Sequence, residues 1–151
     1  MRRALFHEAR FIGVCLLCVV FLMAGGLVVR AGQEAPSEEE YPALMTEIRL
    51  TVNDAELHVD AYYWPEYGED LDRLLAMFRQ IEAFWEARGN DQAVGFAGEA
   101  IAKLGDMSAA GSAQDRGAAG SAIASLRSVC VSCHENFREE TADGYRIKPG
   151  S

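Results

Sequence analysis

Residues 130–138 read Cys-Val-Ser-Cys-His-Glu-Asn-Phe-Arg. In this stretch Cys130 and Cys133 are separated by two residues, and His134 follows directly. That pattern is the attachment signature of c-type haem, in which both thiols add to porphyrin vinyl groups and the imidazole binds the iron. On a helix, positions i and i+3 share one face, so both sulfurs can reach a single macrocycle. The sequence therefore predicts one covalent haem c, with His134 as the proximal iron ligand.

A Cys-x-x-Cys pair has two other common uses, as a redox dithiol and as half of a zinc site. A thioredoxin-like dithiol opens a helix after a strand, and the sequence predicts no strand before Cys130. A zinc site needs a second ligand pair. Outside the motif, the remaining cysteines and histidines are His7, Cys15, Cys18 and His58. Three of these four lie in or beside an apolar N-terminal run, so both alternatives are disfavoured.

The first 31 residues have the pattern of a targeting segment. They begin with a basic stretch that contains Arg2, Arg3 and Arg10. Residues 11–29 are apolar and carry no charge, and small or short residues precede a cleavage position after Ala31. The run is also long enough to span a bilayer. We therefore expect residues 1–31 to be either a signal peptide or an N-terminal membrane anchor, and the domain to lie in the periplasm, held at the inner membrane if the segment is retained.

The composition describes one acidic domain. The chain has 151 residues, 50% of them hydrophobic, and a net charge of −9 at pH 7. This length and apolar content can build one core. An acidic surface is a poor partner for nucleic acid and a better one for a protein with a basic docking patch. The sequence contains no Gly-rich phosphate loop and no Ser-His-Asp set, so it does not indicate an enzyme.

Four segments with helical periodicity follow an acidic linker at residues 32–40. The first is predicted over about residues 42–63, after a capping box formed by Ser37 and Glu40. Its apolar seam steps by three and four residues through Tyr41, Met45, Ile48, Val52, Ala55, Val59 and Tyr62. The second segment follows a turn at residues 64–68. Its apolar positions are Leu71, Leu74, Leu75, Phe78, Ile81, Phe84 and Trp85.

The third segment is predicted to start at a cap on Asn90 or Asp91 and to end near Gly105. Within it, Gly95 and Gly98 are expected to allow close backbone packing, because glycine otherwise costs about 1 kcal/mol relative to alanine. Residues 105–120 are predicted to be a loop whose second half can be helical, with Ser112 and Asp115 as a cap. The fourth segment carries the motif, on a stripe made of Ile123, Leu126, Cys130, Cys133 and Phe137.

These segments predict an all-α fold, an antiparallel up-down-up-down four-helix bundle with haem c on the fourth helix. No β pattern is present. The predicted bundle domain covers residues 41–140, and residues 141–151 are predicted to be a flexible tail.

The chain resembles the class II cytochromes c, the cytochrome c-prime family, in organisation over residues 40–140. It matches the family's motif residue by residue at Cys130, Cys133, His134, Phe137 and Arg138. High-spin members of this family leave the sixth iron position open to NO or CO, whereas low-spin members fill it with a methionine of the first helix and carry electrons. The resemblance also implies that two copies can form a homodimer through the first two helices.

Two residues after His134 are candidate haem contacts. Phe137 is expected to pack on the porphyrin. Arg138 is expected one helical turn after His134, where its guanidinium either pairs with a haem propionate or stays in solvent.

Met45 is the candidate distal iron ligand. In an antiparallel bundle the start of the first helix lies beside the end of the fourth, and at about 1.5 Å per residue Met45 lies at the depth of His134. Met107 falls at the opposite end, and Met77 lies roughly 16 Å from the haem end. His58, about 20 Å further along the first helix, is expected to be a half-exposed surface histidine.

The sequence thus predicts an exported monohaem c-type cytochrome that passes single electrons between protein partners through a His134/Met45-ligated haem. The alternative is a five-coordinate protein that binds NO or CO, with Met45 as a core residue. A peroxidase-like activity is disfavoured, because no second histidine or arginine is placed on the distal side of the iron.

Overall fold

The computed structural model describes residues 35–142 and 144–151. The elements follow in the order α1 (Tyr41–Ala61), α2 (Trp64–Ala87), α3 (Asp91–Ser112), α4 (Arg116–Phe137), β1 (Arg138–Thr141) and β2 (Gly144–Ile147). The four helices pack against one another around one apolar core, an arrangement compatible with a four-helix bundle. The predicted targeting segment, residues 1–31, lies outside the described residues. In the described ranges, no helix combines the length and the apolar character needed to cross a membrane.

Local side-chain hydrogen bonds cap α3 and α4 and close the turn that precedes α1. In the turn before α1, the Ser37 backbone N–H donates to the Glu40 carboxylate at 2.8 Å, and the Glu40 backbone N–H donates to Ser37 Oγ at 3.3 Å. This confirms the predicted capping box. Asn90 Oδ1 accepts from the Ala93 N–H at 3.0 Å and caps α3. Asp115 Oδ1 accepts from the backbone N–H three residues later at 3.0 Å and caps α4.

Two segments predicted to be turns or loops are largely helical. Trp64 already begins α2, because a proline in the first turn lacks only an N–H that would have no helical partner. Residues 105–112 continue α3, and only Ala113, Gln114 and Asp115 separate it from α4. Alanine, the strongest helix former, recurs through this region and outweighs its glycines.

The core follows the predicted seams closely. On α1 the buried residues are Tyr41, Ile48, Thr51, Val52, Ala55 and Val59. Met45 is half-buried against the same core. Tyr62, predicted as the last seam residue, is instead 61% exposed, because it follows the helix and adopts a left-handed backbone with φ of 61°. On α2 every predicted seam residue is buried except Leu75, which is half-buried.

The expectation of no strand was wrong, because Arg138–Thr141 and Gly144–Ile147 form an antiparallel pair of strands. Arg138 pairs with Ile147 and Thr141 pairs with Gly144, in place of the tail predicted to be flexible. The backbone N–H of Lys148 donates to the Phe137 carbonyl at 2.9 Å, which holds the hairpin to the end of α4. Ile147 packs against the core, so an apolar contact adds to these hydrogen bonds.

Candidate haem site

The last two turns of α4 present the Cys-x-x-Cys-His motif at the edge of the core. Cys130, Cys133 and His134 are all half-buried. Both cysteines are free thiols and pack against the core cluster, whereas Val131 between them is 56% exposed. The spacing of three residues therefore turns both sulfurs inward on one face of the helix.

A cluster of aromatic rings fills the core beside the motif. The ring centre of buried Phe137 lies 5.3 Å from that of Trp85 and 6.1 Å from that of Phe96. Tyr41, at the start of α1, lies 4.3 Å from Phe84 and 6.0 Å from Trp85 between ring centres. Trp85 Nε1 donates a hydrogen bond to Tyr41 Oη at 2.9 Å. The start of α1, the end of α2 and the end of α4 therefore meet at the motif.

Burial sets the protonation of the motif. It raises the pKa of the Cys133 thiol to about 11, with a further contribution from Cys130, and it raises the pKa of the Cys130 thiol as well. Burial lowers the pKa of the His134 imidazole, and the positive charge of Arg138 lowers it further. The neutral imidazole, which is the form that binds metals, is thereby favoured. Burial also raises the pKa of the Tyr41 phenol, and the nearby Cys133 adds to the rise.

The donor set fits a covalently attached haem. Two inward-facing thiols and one neutral imidazole in the same two turns are the groups that c-type attachment uses. In the described part of the chain, no group of three or more His, Cys, Asp and Glu side chains is arranged to hold a metal ion. A haem iron does not need such a group, because the porphyrin supplies four ligands and the protein supplies only axial ones.

Met45 lies on the inner side of α1, one helical turn after Tyr41, and contacts the core. Met77 and Met107 are both buried. The Met107 carbonyl accepts a hydrogen bond from Tyr67 Oη at 3.2 Å, so Met107 lies beside the first turns of α2. Of the three methionines, Met45 is the one within a helical turn of Tyr41, which belongs to the aromatic cluster beside the motif.

Arg138 is the first residue of β1 and has an extended backbone, with φ of −110° and ψ of 137°. The helix therefore ends at Phe137, three residues earlier than predicted. The Arg138 guanidinium carbon lies 4.2 Å from the centre of the Tyr145 ring, a cation–π contact across the hairpin. Arg138 stays adjacent to the motif, and its N–H still donates to the His134 carbonyl.

A buried carboxylate lies away from the motif and escaped the sequence analysis. The Asp70 side chain is fully buried, its Oδ2 lies 2.7 Å from His58 Nδ1, and its Oδ1 accepts from Arg73. His58 is half-exposed, with 29% of its side chain accessible, as expected. Arg73 follows Asp70 by three residues and could have been paired with it from sequence, but the contact with His58 joins two helices and leaves no local signal.

Comparisons with protein-family models, with curated proteins and with solved structures return no match. The case for a function therefore comes from residues 130–138 and from the side chains around them.

Proposed function

We propose that this protein is an exported monohaem c-type cytochrome that transfers single electrons between protein partners and is not an enzyme. One observation carries the proposal. Cys130 and Cys133 turn inward on the same face of α4, and His134 follows them with its neutral form favoured. These are the two thiols and the imidazole that covalent attachment requires. Bound there, a haem c would supply one-electron redox chemistry.

The proposed topology is the antiparallel up-down-up-down bundle, with the haem on α4. Connections of two or three residues support it, because a long helix that follows so short a link must return beside its predecessor. Contacts at both ends agree. Asp60, near the end of α1, pairs with Arg116 at the start of α4, at 2.6 Å. Tyr41, at the start of α1, packs on Trp85, whose ring centre lies 5.3 Å from that of Phe137 at the end of α4.

The proposed distal iron ligand is Met45. Tyr41 packs on Trp85 in the aromatic cluster that contains Phe137, and Met45 lies one turn, about 6 Å, further along the same face of α1. Because α1 and α4 run in opposite directions in the proposed topology, a position one turn further along α1 lies nearer to Cys130 than to the end of α4. Its flexible thioether can adapt to a nearby iron. Methionine in place of a second histidine raises the reduction potential, which suits an electron carrier.

The proposed partners are redox proteins with basic docking patches, because the net charge of this chain is −9. Val131 is 56% exposed and Tyr145 is 58% exposed, so apolar side chains reach solvent next to the motif. They would allow a partner to approach a haem edge closely. We place the domain in the periplasm, either released or held by an N-terminal anchor, as the sequence of residues 1–31 indicates.

The optical spectrum of the reduced protein, with and without CO, tests the function. The protein is to be produced in an oxidising compartment together with a haem-attachment system. A low-spin spectrum that CO leaves unchanged on mixing supports the electron carrier. A high-spin spectrum that changes at once with CO would replace it with the gas-binding alternative, in which Met45 is a core residue. Rapid turnover of peroxide would favour an enzyme instead.

A further inference from the structure

The turn between α1 and α2 carries exposed aromatic side chains that the proposed redox function does not use. Tyr62 is 61% exposed and Tyr63 is 58% exposed. Trp64 is half-buried, and its ring meets that of Tyr62 edge to face at 6.4 Å between centres. Arg116, at the start of α4, reaches this turn. Since the haem motif lies about 20 Å further along α4, the turn and the motif are separate places on the molecule.

An open groove of about 430 Å³ lies next to this turn, between the start of α2 and the end of α3. We call it the Trp64 groove. Its polar and aromatic lining comes from Trp64, Tyr67, Glu69 and Asp72 of α2 and from Ser108 and Ser112 of α3. Buried Tyr67 fixes the floor, because its ring packs on Gly111 and its hydroxyl donates to a backbone carbonyl of α3.

The carboxylates of this groove are exposed and have no ion-pair partner among the described residues. Neither Glu69 nor Asp72 forms an ion pair with any residue in the described ranges. A helix N-terminus stabilises acidic side chains within its first turn. Glu69 and Asp72 lie in the second and third turns of α2, so the helix dipole does not account for them. They line the same groove as the Trp64 ring, five and eight residues further along α2.

The chain itself shows twice how a guanidinium uses this combination of groups. Arg116 lies 5.8 Å from the centre of the Tyr62 ring and pairs with Asp60 at 2.6 Å. Arg88 lies 4.9 Å from the centre of the Phe84 ring and pairs with a glutamate of the linker. The Trp64 groove has the same kinds of group in its lining, an aromatic ring and carboxylates, and no arginine or lysine of the described residues lines it.

We propose that the Trp64 groove docks an arginine-bearing basic segment of a partner protein. Arginine side chains of the segment lie on the Trp64 ring, as a cation–π contact, and pair with Glu69 and Asp72, which follow about 8 and 12 Å further along α2. The groove is open, which suits a side chain on a protein surface better than an enclosed small molecule. The negative charge of the whole chain steers such a segment towards it. This docking site does not depend on the haem motif, so a test of the proposed redox function does not decide it.

The test is an NMR titration of the purified full-length chain with a peptide of alternating arginine and glycine. The same peptide with citrulline in place of arginine is the neutral control ligand. The chain has two tryptophans, Trp64 and Trp85, so two indole N–H signals report on two separate places. The arginine peptide should shift the Trp64 signal and leave that of buried Trp85 in place, while the citrulline peptide should shift neither.

Matched variants separate the groove from net charge. Glu69→Gln together with Asp72→Asn should weaken binding of the arginine peptide about three- to tenfold. Glu86→Gln together with Glu99→Gln removes the same charge from exposed positions outside the groove and should leave binding within about twofold.

Three results would overturn the proposal. One is an unchanged Trp64 signal at saturating arginine peptide. Another is equal weakening in both double variants, which would mean that net charge alone attracts the peptide. The third is a Trp64 signal that responds to phosphatidylcholine vesicles and not to the peptide, which would assign the aromatic turn to a lipid surface.

Discussion

Gly111→Ala should destabilise the fold through Tyr67. A Cβ added at Gly111 would lie 2.8 Å from Tyr67 Cε1 and 3.0 Å from Cδ1. Carbon atoms in contact prefer about 3.5–4.0 Å, so the ring must retreat by roughly 0.7 Å. It has little freedom to do so, because Tyr67 is 1% exposed and its hydroxyl donates to the Met107 carbonyl at 3.2 Å.

The expected magnitude combines three effects. Overpacking costs about 1–3 kcal/mol, and a stretched hydrogen bond costs about 0.5–1.5 kcal/mol. The higher helix propensity of alanine offsets at most about 1 kcal/mol of this loss in stability, and less near the end of a helix. We therefore expect the free energy of unfolding to fall by about 1–3 kcal/mol, measured by urea denaturation followed by circular dichroism.

Gly105→Ala is the matched control on the same helix. Nothing lies within 4 Å of a Cβ built at Gly105, so this change should raise the free energy of unfolding by about 0.5–1 kcal/mol. Opposite signs for the two variants are the signature of the contact between Tyr67 and Gly111. If Gly111→Ala stabilises the chain as Gly105→Ala does, the packing of α2 on α3 described above is wrong.

Three further predictions concern the iron, the buried carboxylate and pH. Met45→Ala should turn the reduced haem high-spin and let CO bind fast, as seen in absorption spectra, whereas His58→Ala should change neither property. His58→Ala should instead lower the free energy of unfolding in urea by about 1–3 kcal/mol, because buried Asp70 loses one of its two partners. Burial raises the pKa of Tyr67 from 10.0 to about 12, so the folded state keeps this proton longer than the unfolded state does. Its contribution to stability is complete below pH 10 and is lost as pH rises towards 12, so urea midpoints should fall more steeply over that range than in Tyr67→Phe.

The cap of α3 and the core seams could be predicted from sequence because their causes are local, whereas the start of α2 at Trp64 was predicted to be a turn. The capping box of Ser37 and Glu40 and the caps at Asn90 and Asp115 depend on residues three positions apart. The seam of α1 depends on helical periodicity and failed only at Tyr62, beyond the end of the helix.

The features that sequence analysis missed are created by contacts between elements. The hairpin has no period-2 apolar pattern, and it depends on Arg138 lying over Tyr145 and on Lys148 bonding to the end of α4. Close approach to a glycine was predicted at Gly95 and Gly98. A Cβ would meet nothing within 4 Å at Gly95 and only Glu82 Oε1 at 3.8 Å at Gly98, and the close approach occurs instead at Gly111. Which glycine faces a bulky ring depends on how two helices pack, and one sequence does not carry that information.

The candidate site also has one part that the sequence predicts and another that depends on packing between helices. The motif of Cys130, Cys133 and His134 can be recognised in the sequence, because haem attachment chemistry requires this spacing. The structure adds that its thiols face the core. The aromatic cluster around Trp85 and Tyr41 could not be predicted from the sequence, because all four helices contribute to it. The distal role of Met45 remains a prediction from its position on α1.

The most direct test of the central claim is the intact mass of the purified protein, recorded after denaturation in acidified organic solvent. The protein is to be produced in an oxidising compartment with a haem-attachment system. Covalent attachment predicts a polypeptide that retains the mass of one haem under these conditions, with Cys130 and Cys133 protected from thiol reagents, and a Cys130→Ser/Cys133→Ser variant that has lost that added mass. A wild-type mass equal to that of the polypeptide alone, with both thiols reactive, would contradict the account.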